Sequence, residues 1–395
     1  NPAREVCGFA ERVLCGTGVA FFLLMATWKL LADQHKRPAY DLKQLLDRVA
    51  MATVADVMAL QGVNRVLVHY GLQQLRTAPS VGMAALLDVA KVNRKRISTE
   101  SIGFYLAPRV NAAGRMRHGE EAMRLLCCQD SVEAAALAAS LDVCNQERRK
   151  LEVETHKAAV AKLEAMHQGS LEQADKLCLT VYDDDWHAGV VGLVAGRLAR
   201  QYGRPAAVGF VDEKQNIRVS LRGVQGFHIG QLLHSCAAHL HGFGGHAGAG
   251  GGTVKADCWD EFVLDFSAAV DKQQTDGLIQ NHLKIDGVLS LPALHIGLAS
   301  RLQRFEPIGQ GNPACLWVLH DVTVVDTKKL KGGVMRVRLT DGMMFCNAVV
   351  FGVGALENDL QEGVCVSVLG KLQTDDYRGG DAVQFVIEDV VLDAD

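Results

Sequence analysis

Apolar residues fall on every side of a helix over positions 13–31, and helical spacing returns over 41–60, 62–76 and 82–92, with Pro79 and Gly82 as punctuation. From Glu120 to His167 there is neither Gly nor Pro, and Ala, Leu, Glu, Lys and Arg dominate. This predicts one long helix, broken near Gln129-Asp130-Ser131, where Asp130 or Ser131 can act as an N-cap. Its middle, Asn145–Lys150, is polar all round, the mark of a helix that bridges domains. The pattern then shortens. Runs at 177–182, 205–211 and 216–221 read as strands, and 187–202, 227–240 and 257–271 as helices, so an α/β unit with a partly parallel sheet is expected. The Gly-rich segment 242–252 is expected as a loop. After residue 280, β-rich runs at 283–291, 315–326, 333–340, 344–351, 363–372 and 382–392 predict a small barrel of the OB type.

Composition narrows the choices. With 395 residues, half of them hydrophobic and a net charge of −4, the chain is a multidomain globular protein, not a disordered one. Nothing global advertises a polyanion, so nucleic-acid binding would need local basic patches such as Lys91–Arg96 or Lys328, Lys329, Lys331, Arg336 and Arg338, with Phe345 and Tyr377 as stacking faces. Eleven cysteines without framework spacing suggest reduced thiols and a cytoplasmic setting. The apolar run Val19–Ala26 is shorter than a bilayer span and is expected as a buried helix; no membrane partner is expected.

Two stretches carry candidate chemistry. Ala107–Arg115 sets Arg109, Asn111 and Arg115 around an Ala-Ala-Gly kink, and Phe243–Gly251 wraps glycines, including Gly244 and Gly245, around His246. Donors beside residues without bulk allow close approach to phosphate oxygens. His187 opens a helix, where an anion can meet free N–H groups. Ser220 and Arg222, two apart on a strand, project from one face and make a plausible phosphate clamp. Asp56 is a lone carboxylate in an apolar helical stretch, where capping is the plainer reading. Arg304–Pro313 reads as a rigid turn ahead of the β-rich region.

In order along the chain, Thr53–Val57, Leu106–Arg115, Trp186–Gly192, Ser220-Leu221-Arg222, the Gly-Gly-His segment and Glu306–Pro313 resemble the RecJ family of single-strand-specific 5′→3′ DNA exonucleases, within the DHH/DHHA1 phosphoesterases. The resemblance implies the C-terminal part of a DHH domain (1–125), a connecting helix (126–170), a DHHA1 α/β domain (171–275) and an OB-fold barrel (280–395). It implies two divalent ions, Mn²⁺ or Mg²⁺, with Asp56 as a metal ligand and His187 as a catalytic residue, and a 5′ phosphate held by Arg109, Ser220 and Arg222. Single-stranded DNA is the implied substrate, in repair and recombination, with a single-strand-binding protein and a helicase as implied partners.

Three departures qualify it. The family's Asp-x-Asp and Asp-His-His metal motifs are absent, and Asn1-Pro2 matches residues that follow that triplet, so these residues alone are expected to be inactive. The loop reads Gly-Gly-His-Ala-Gly-Ala-Gly-Gly, and Gly223 stands where the family has a second serine. A non-catalytic single-strand-binding or scaffold protein is the alternative. A phosphodiesterase for short oligonucleotides or cyclic dinucleotides is disfavoured by the β-rich region.

Overall fold

The computed structural model describes residues 13–34, 40–171, 177–275, 283–330, 333–352, 356–375 and 382–392. The chain divides into two compact units: one of residues 1–79, 93–103 and 282–395, the other of 80–92 and 104–281.

The first unit begins with α1 (Gly16–Asp33), α2 (Leu46–Ala55) and α3 (Gly62–Thr77). Val49 of α2 and Leu67 of α3 bury against Phe21 of α1. The expectation of a buried first helix fails: in α1 only Gly18 and Phe21 are buried, while Leu23 and Leu30 are 69% and 63% exposed. By length and composition α1 is apolar enough to cross a membrane, although the core helix of a soluble protein passes the same test.

The second unit holds α4 (Val81–Val89), α5 (Ala107–Met116), α6 (Glu120–Cys127) and the 37-residue α7 (Ser131–His167). At 1.5 Å per residue α7 is about 55 Å long. The break before it falls where expected: the Asp130 carboxylate accepts from Glu133 N at 2.7 Å, the N-cap bond that starts α7. Then follow β1 (Leu179–Asp183), α8 (Ala188–Tyr202), β2 (Ala206–Val211), β3 (Ile217–Arg222), α9 (Ile229–Ser235), β4 (Leu240–Gly245), β5 (Ala249–Val254) and α10 (Trp259–Thr275). Their sheet runs β1-β2-β3-β5-β4, with β1 and β2 parallel and the rest antiparallel. One face packs Leu179, Val181, Ala206 and Val208 under α8 and the end of α7. The other packs Ile217, Val219 and Leu221 under α9 and α10.

The Gly-rich segment is a hairpin, not a loop. Gly244 pairs with Gly251 and Gly245 with Gly250. Both strands are bare enough to lie close, and on one face α9 requires it: a Cβ on Gly250 would stand 2.7 Å from Leu233 and 2.9 Å from Ile229.

The chain returns to the first unit with β6 (Gly287–Val288), α11 (Ile296–Leu302), β7 (Trp317–Leu330), β8 (Val334–Thr340), β9 (Phe345–Phe351), α12 (Leu356–Asp359), β10 (Cys365–Thr374) and β11 (Val383–Leu392). Strands β7, β8, β9, β11 and β10 pair in that order, and β10 closes back on β7. Val322, Val337, Ala348, Val366 and Phe385 fill the closed barrel. Before it, the turn 304–313 is fastened to the helices. Leu60 N donates to Gln310 O at 2.7 Å, and Arg65 donates to the carbonyls of Phe305, Glu306 and Pro307. Arg76 pairs with Glu306 at 3.1 Å. Lys331 and Tyr377, two of the residues read as nucleic-acid contacts, lie outside the described residues.

Candidate functional site

The second unit brings three of the candidate phosphate ligands, Ser220, Arg222 and Arg115, near one another. Strand alternation sends Ser220 and Arg222 to the α8 face, while Val219 and Leu221 bury behind. Helix α8 reaches them through a glycine. A Cβ on Gly192 would meet Arg222 Nη2 at 3.2 Å and Ser220 Oγ at 3.4 Å, so bare backbone lies against hydroxyl and guanidinium. The Arg222 side chain is half-buried and, among the described residues, donates only to its own neighbour's carbonyl, Leu221 O, at 2.8 Å. Burial, and then the nearby Arg115 cation, push its pKa down from the ordinary arginine value. Arg222 is thus a half-buried cation near a second cation, with no carboxylate salt bridge among the described residues.

His187 caps α8: its Nδ1 accepts from Gly189 N at 3.0 Å, which leaves Nε2 as the outward nitrogen of an exposed ring. Gly189 lies so close to α5 that a Cβ there would stand 2.2 Å from Arg115 O. The end of α5 and the start of α8 are thereby packed together.

The α5 residues separate differently from expectation. No kink occurs, since Ala107–Met116 is one helix with Ala112 and Ala113 buried. At 100° per residue Asn111 and Arg115 share an exposed face, and Arg109 points elsewhere. Arg109 Nε binds Asp142 of α7 at 2.8 Å, and its Nη1 donates to Tyr105 O at 2.6 Å. Arg109 is thus engaged by α7 through Asp142 and by the Tyr105 carbonyl.

His246 is exposed at the β4–β5 turn. The turn is fastened by Ile229 N to Ala247 O at 2.9 Å, Gly230 N to His246 O at 3.1 Å and Gly223 N to Gly248 O at 3.0 Å. Its carbonyls face the start of α9 and the end of β3. Gly244 and Gly245 belong to the sheet ladder and do not form a separate cradle.

Asp56, in the other unit, is the C-cap of α2, with its backbone N–H donating to Ala52 O at 3.0 Å. Its carboxylate is exposed and has no hydrogen bond or ion pair among the described residues. The next residue, Val57, has φ +53°, an uncommon conformation for a β-branched side chain and one that sequence does not announce. Among the described residues no three His, Cys, Asp or Glu side chains group as a metal set. One carboxylate does not fit two ions that each take about six ligands.

Sequence reasoning missed Arg148 and the outer part of the β3 face. Arg148 bonds Glu152 at 2.6 Å, is pushed down in pKa by burial, and feels Arg115 and Arg149 as like charges. The signal for the β3 face was available in strand alternation, which puts Arg218 in line with Ser220 and Arg222.

Comparison with known proteins agrees with this architecture. Residues 159–272 match the family model of the DHHA1 domain, and residues 285–389 that of the RecJ OB domain. The class is thus a DHHA1 protein with an appended nucleic-acid-type barrel. The chain is 33% identical over 98% of its length to the single-stranded-DNA-specific exonuclease RecJ of Dickeya dadantii, and 31% identical over 99% to that of Escherichia coli. It covers 69% of each of those proteins. Crystal structures of RecJ from Thermus thermophilus with Mg²⁺ and with Mn²⁺ superpose over 98% of the chain, each with TM-score 0.77, at 26% and 27% identity. The chain spans 57% and 55% of those solved chains. It belongs to the RecJ family of single-stranded-DNA-specific exonucleases.

Proposed function

We propose that this chain serves a 5′→3′ single-stranded-DNA exonuclease of the RecJ type, and that its second unit receives the 5′ end. One observation carries this reading: Arg222, half-buried and without a carboxylate salt bridge among the described residues, lies beside Ser220 under the bare backbone of Gly192. A terminal phosphate there accepts from the Ser220 hydroxyl and the Arg222 guanidinium, and the positive end of α8 with His187 adds to the field. Arg115 and Asn111 line the approach, and His246, Gly244 and Gly245 border the same sheet. Arg109 acts at one remove, by holding α5 to α7 through Asp142.

The domain division we propose is 1–125, 126–170, 171–275 and 280–395. The solved relatives hold Mg²⁺ or Mn²⁺, and such ions activate water and stabilise developing charge at a phosphodiester. Asp56 would serve as one ligand, with further ligands from beyond the described set. These 395 residues alone would then bind strands without cutting them. The barrel, with Arg336 and Arg338 on β8, would hold the strand downstream. Work in the cytoplasm alongside a single-strand-binding protein and a helicase completes the proposal.

The test is equilibrium binding of 5′-phosphorylated and 5′-hydroxyl oligo-dT, without metal. The wild-type chain should prefer the phosphorylated strand, and Arg222→Ala should remove about 1–3 kcal/mol from that strand alone. Equal loss on both strands would refute a phosphate clamp.

A further inference from the structure

Helix α3 carries Arg65 and Arg76 and no carboxylate. At about 100° per residue Arg65, His69 and Arg76 fall within about 40° of one another, and the two arginines lie about 16 Å apart along the axis. Both guanidiniums hold backbone. Arg65 donates to the Phe305 carbonyl at 2.8 Å, and Arg76 donates to the Ile97 carbonyl at 2.6 Å while pairing with Glu306. Thr99 Oγ1 adds a bond to the Ile308 carbonyl. The stretches 94–97 and 303–308 are thereby fastened to α3 and meet at Arg76.

What these segments leave uncovered is cationic and aromatic. Residues 62–77, 93–100 and 303–308 hold six Lys or Arg and only two carboxylates, Glu100 and Glu306. Glu306 is already taken by Arg76. That excess runs against the chain's net charge of −4. The Lys95 and Arg304 side chains are exposed and make no hydrogen bond or ion pair among the described residues. Beside Arg304, Phe305 is 55% exposed although its carbonyl is held. On α3, the exposed His69 meets Tyr70 edge to face, with ring centres 5.2 Å apart, and Tyr70 is itself 53% exposed.

We infer that this strip along α3 holds the interior of a single nucleic-acid strand, with phosphates on Lys95 and Arg304 and bases stacked on Phe305 and on the His69–Tyr70 pair. Cations follow the backbone and rings take base faces, a combination that tolerates any sequence. A duplex keeps its bases stacked on one another and gains nothing from the rings. An acidic peptide would answer the cations alone. The strip belongs to the same unit as the barrel and adds a second holding surface to it. The inference rests on a single strand being the substrate, and not on the Ser220–Arg222 clamp, since no terminal phosphate is involved.

The test is binding by the full chain, without metal, of a long oligo-dT and of a strand of equal length that lacks bases. The wild-type chain should bind oligo-dT more tightly. Phe305→Leu and Tyr70→Leu should each weaken oligo-dT about tenfold, the share of one stacked base, and leave the abasic strand unchanged. Lys95→Gln combined with Arg304→Gln should weaken both strands and flatten the log–log salt slope by about 1.4, two single-strand phosphate contacts. Because the two strands are compared within one variant, a lowered melting temperature does not mask the result. Ring variants that are silent on oligo-dT, or that weaken the abasic strand equally, overturn the stacking surface. An unchanged salt slope overturns its cations. If the paired cation variant loses a poly-glutamate peptide and keeps oligo-dT, the surface belongs to an acidic protein instead. If Arg222→Ala leaves the preference for a 5′ phosphate intact while the ring variants weaken oligo-dT, this surface stands and the clamp is what falls.

Discussion

One face of the five-stranded sheet has two halves that are built for different ends. Over β1 and β2, helix α8 lays Val191, Val194, Ala195 and Leu198 onto Val181, Ala206 and Val208, and every one of these is buried. Over β3 helix α8 meets Ser220 and Arg222 through Gly192 and Gly196 without large side chains, and beyond it the strands present Arg218 and a floor of glycine. The first half trades side-chain volume for stability. The second leaves glycine backbone and Arg218 uncovered, which contributes little to stability and leaves room for a ligand. The difference teaches that a sheet's binding half is recognised by what it omits.

The comparison breaks most readily in the covered half. Leu198→Ala opens a hole in a fully buried cluster and should cost about 2–5 kcal/mol, read as a lower denaturant midpoint. The preference of the folded fraction for a 5′ phosphate should persist. Its disappearance with the core intact in spectroscopy would show that the halves are not separable.

A smaller effect is expected in the barrel, where Arg338 lies 4.3 Å from the centre of the Phe345 ring. Arg338→Ala should weaken long oligo-dT binding and flatten its log–log salt slope by about 0.7, the share of one phosphate contact on a single strand. Binding of mononucleotide should not change. An unchanged slope would remove this cation from the strand path.

The smallest effect concerns His156 of α7, buried close to the covered half. Burial, and then the Arg197 cation, hold its imidazole below the usual 6.5. The unfolded chain takes up that proton at higher pH than the folded chain does. Stability present above pH 6.5 is therefore lost as the pH falls below it. In His156→Asn the melting temperature should fall less between pH 7 and pH 5 than in the wild type, by a degree or two at most. Parallel pH profiles would assign the acid sensitivity elsewhere.

Local chemistry was legible in the sequence where the cause is local. Asp130 starts α7 and His187 starts α8 because each cap needs only the next few residues. The β3 alternation put Ser220 and Arg222 on one face for the same reason. What escaped depends on distant partners. Arg109 is claimed by Asp142, 33 positions away. The glycines of 242–252 form strands because α9 leaves room for nothing larger at Gly250, although glycine has little strand preference of its own. The exposure of Leu23 and Leu30 on α1 is equally hidden, since hydropathy does not say what a residue touches.

The turn 304–313 is bolted to α3 by the Arg65 guanidinium, and Leu60, which holds its Gln310 carbonyl, belongs to the short stretch that starts at Asp56. The barrel and that acidic side chain accordingly travel together. Whatever the barrel grips is thereby tethered, through a turn of a few residues, to the stretch that carries the carboxylate.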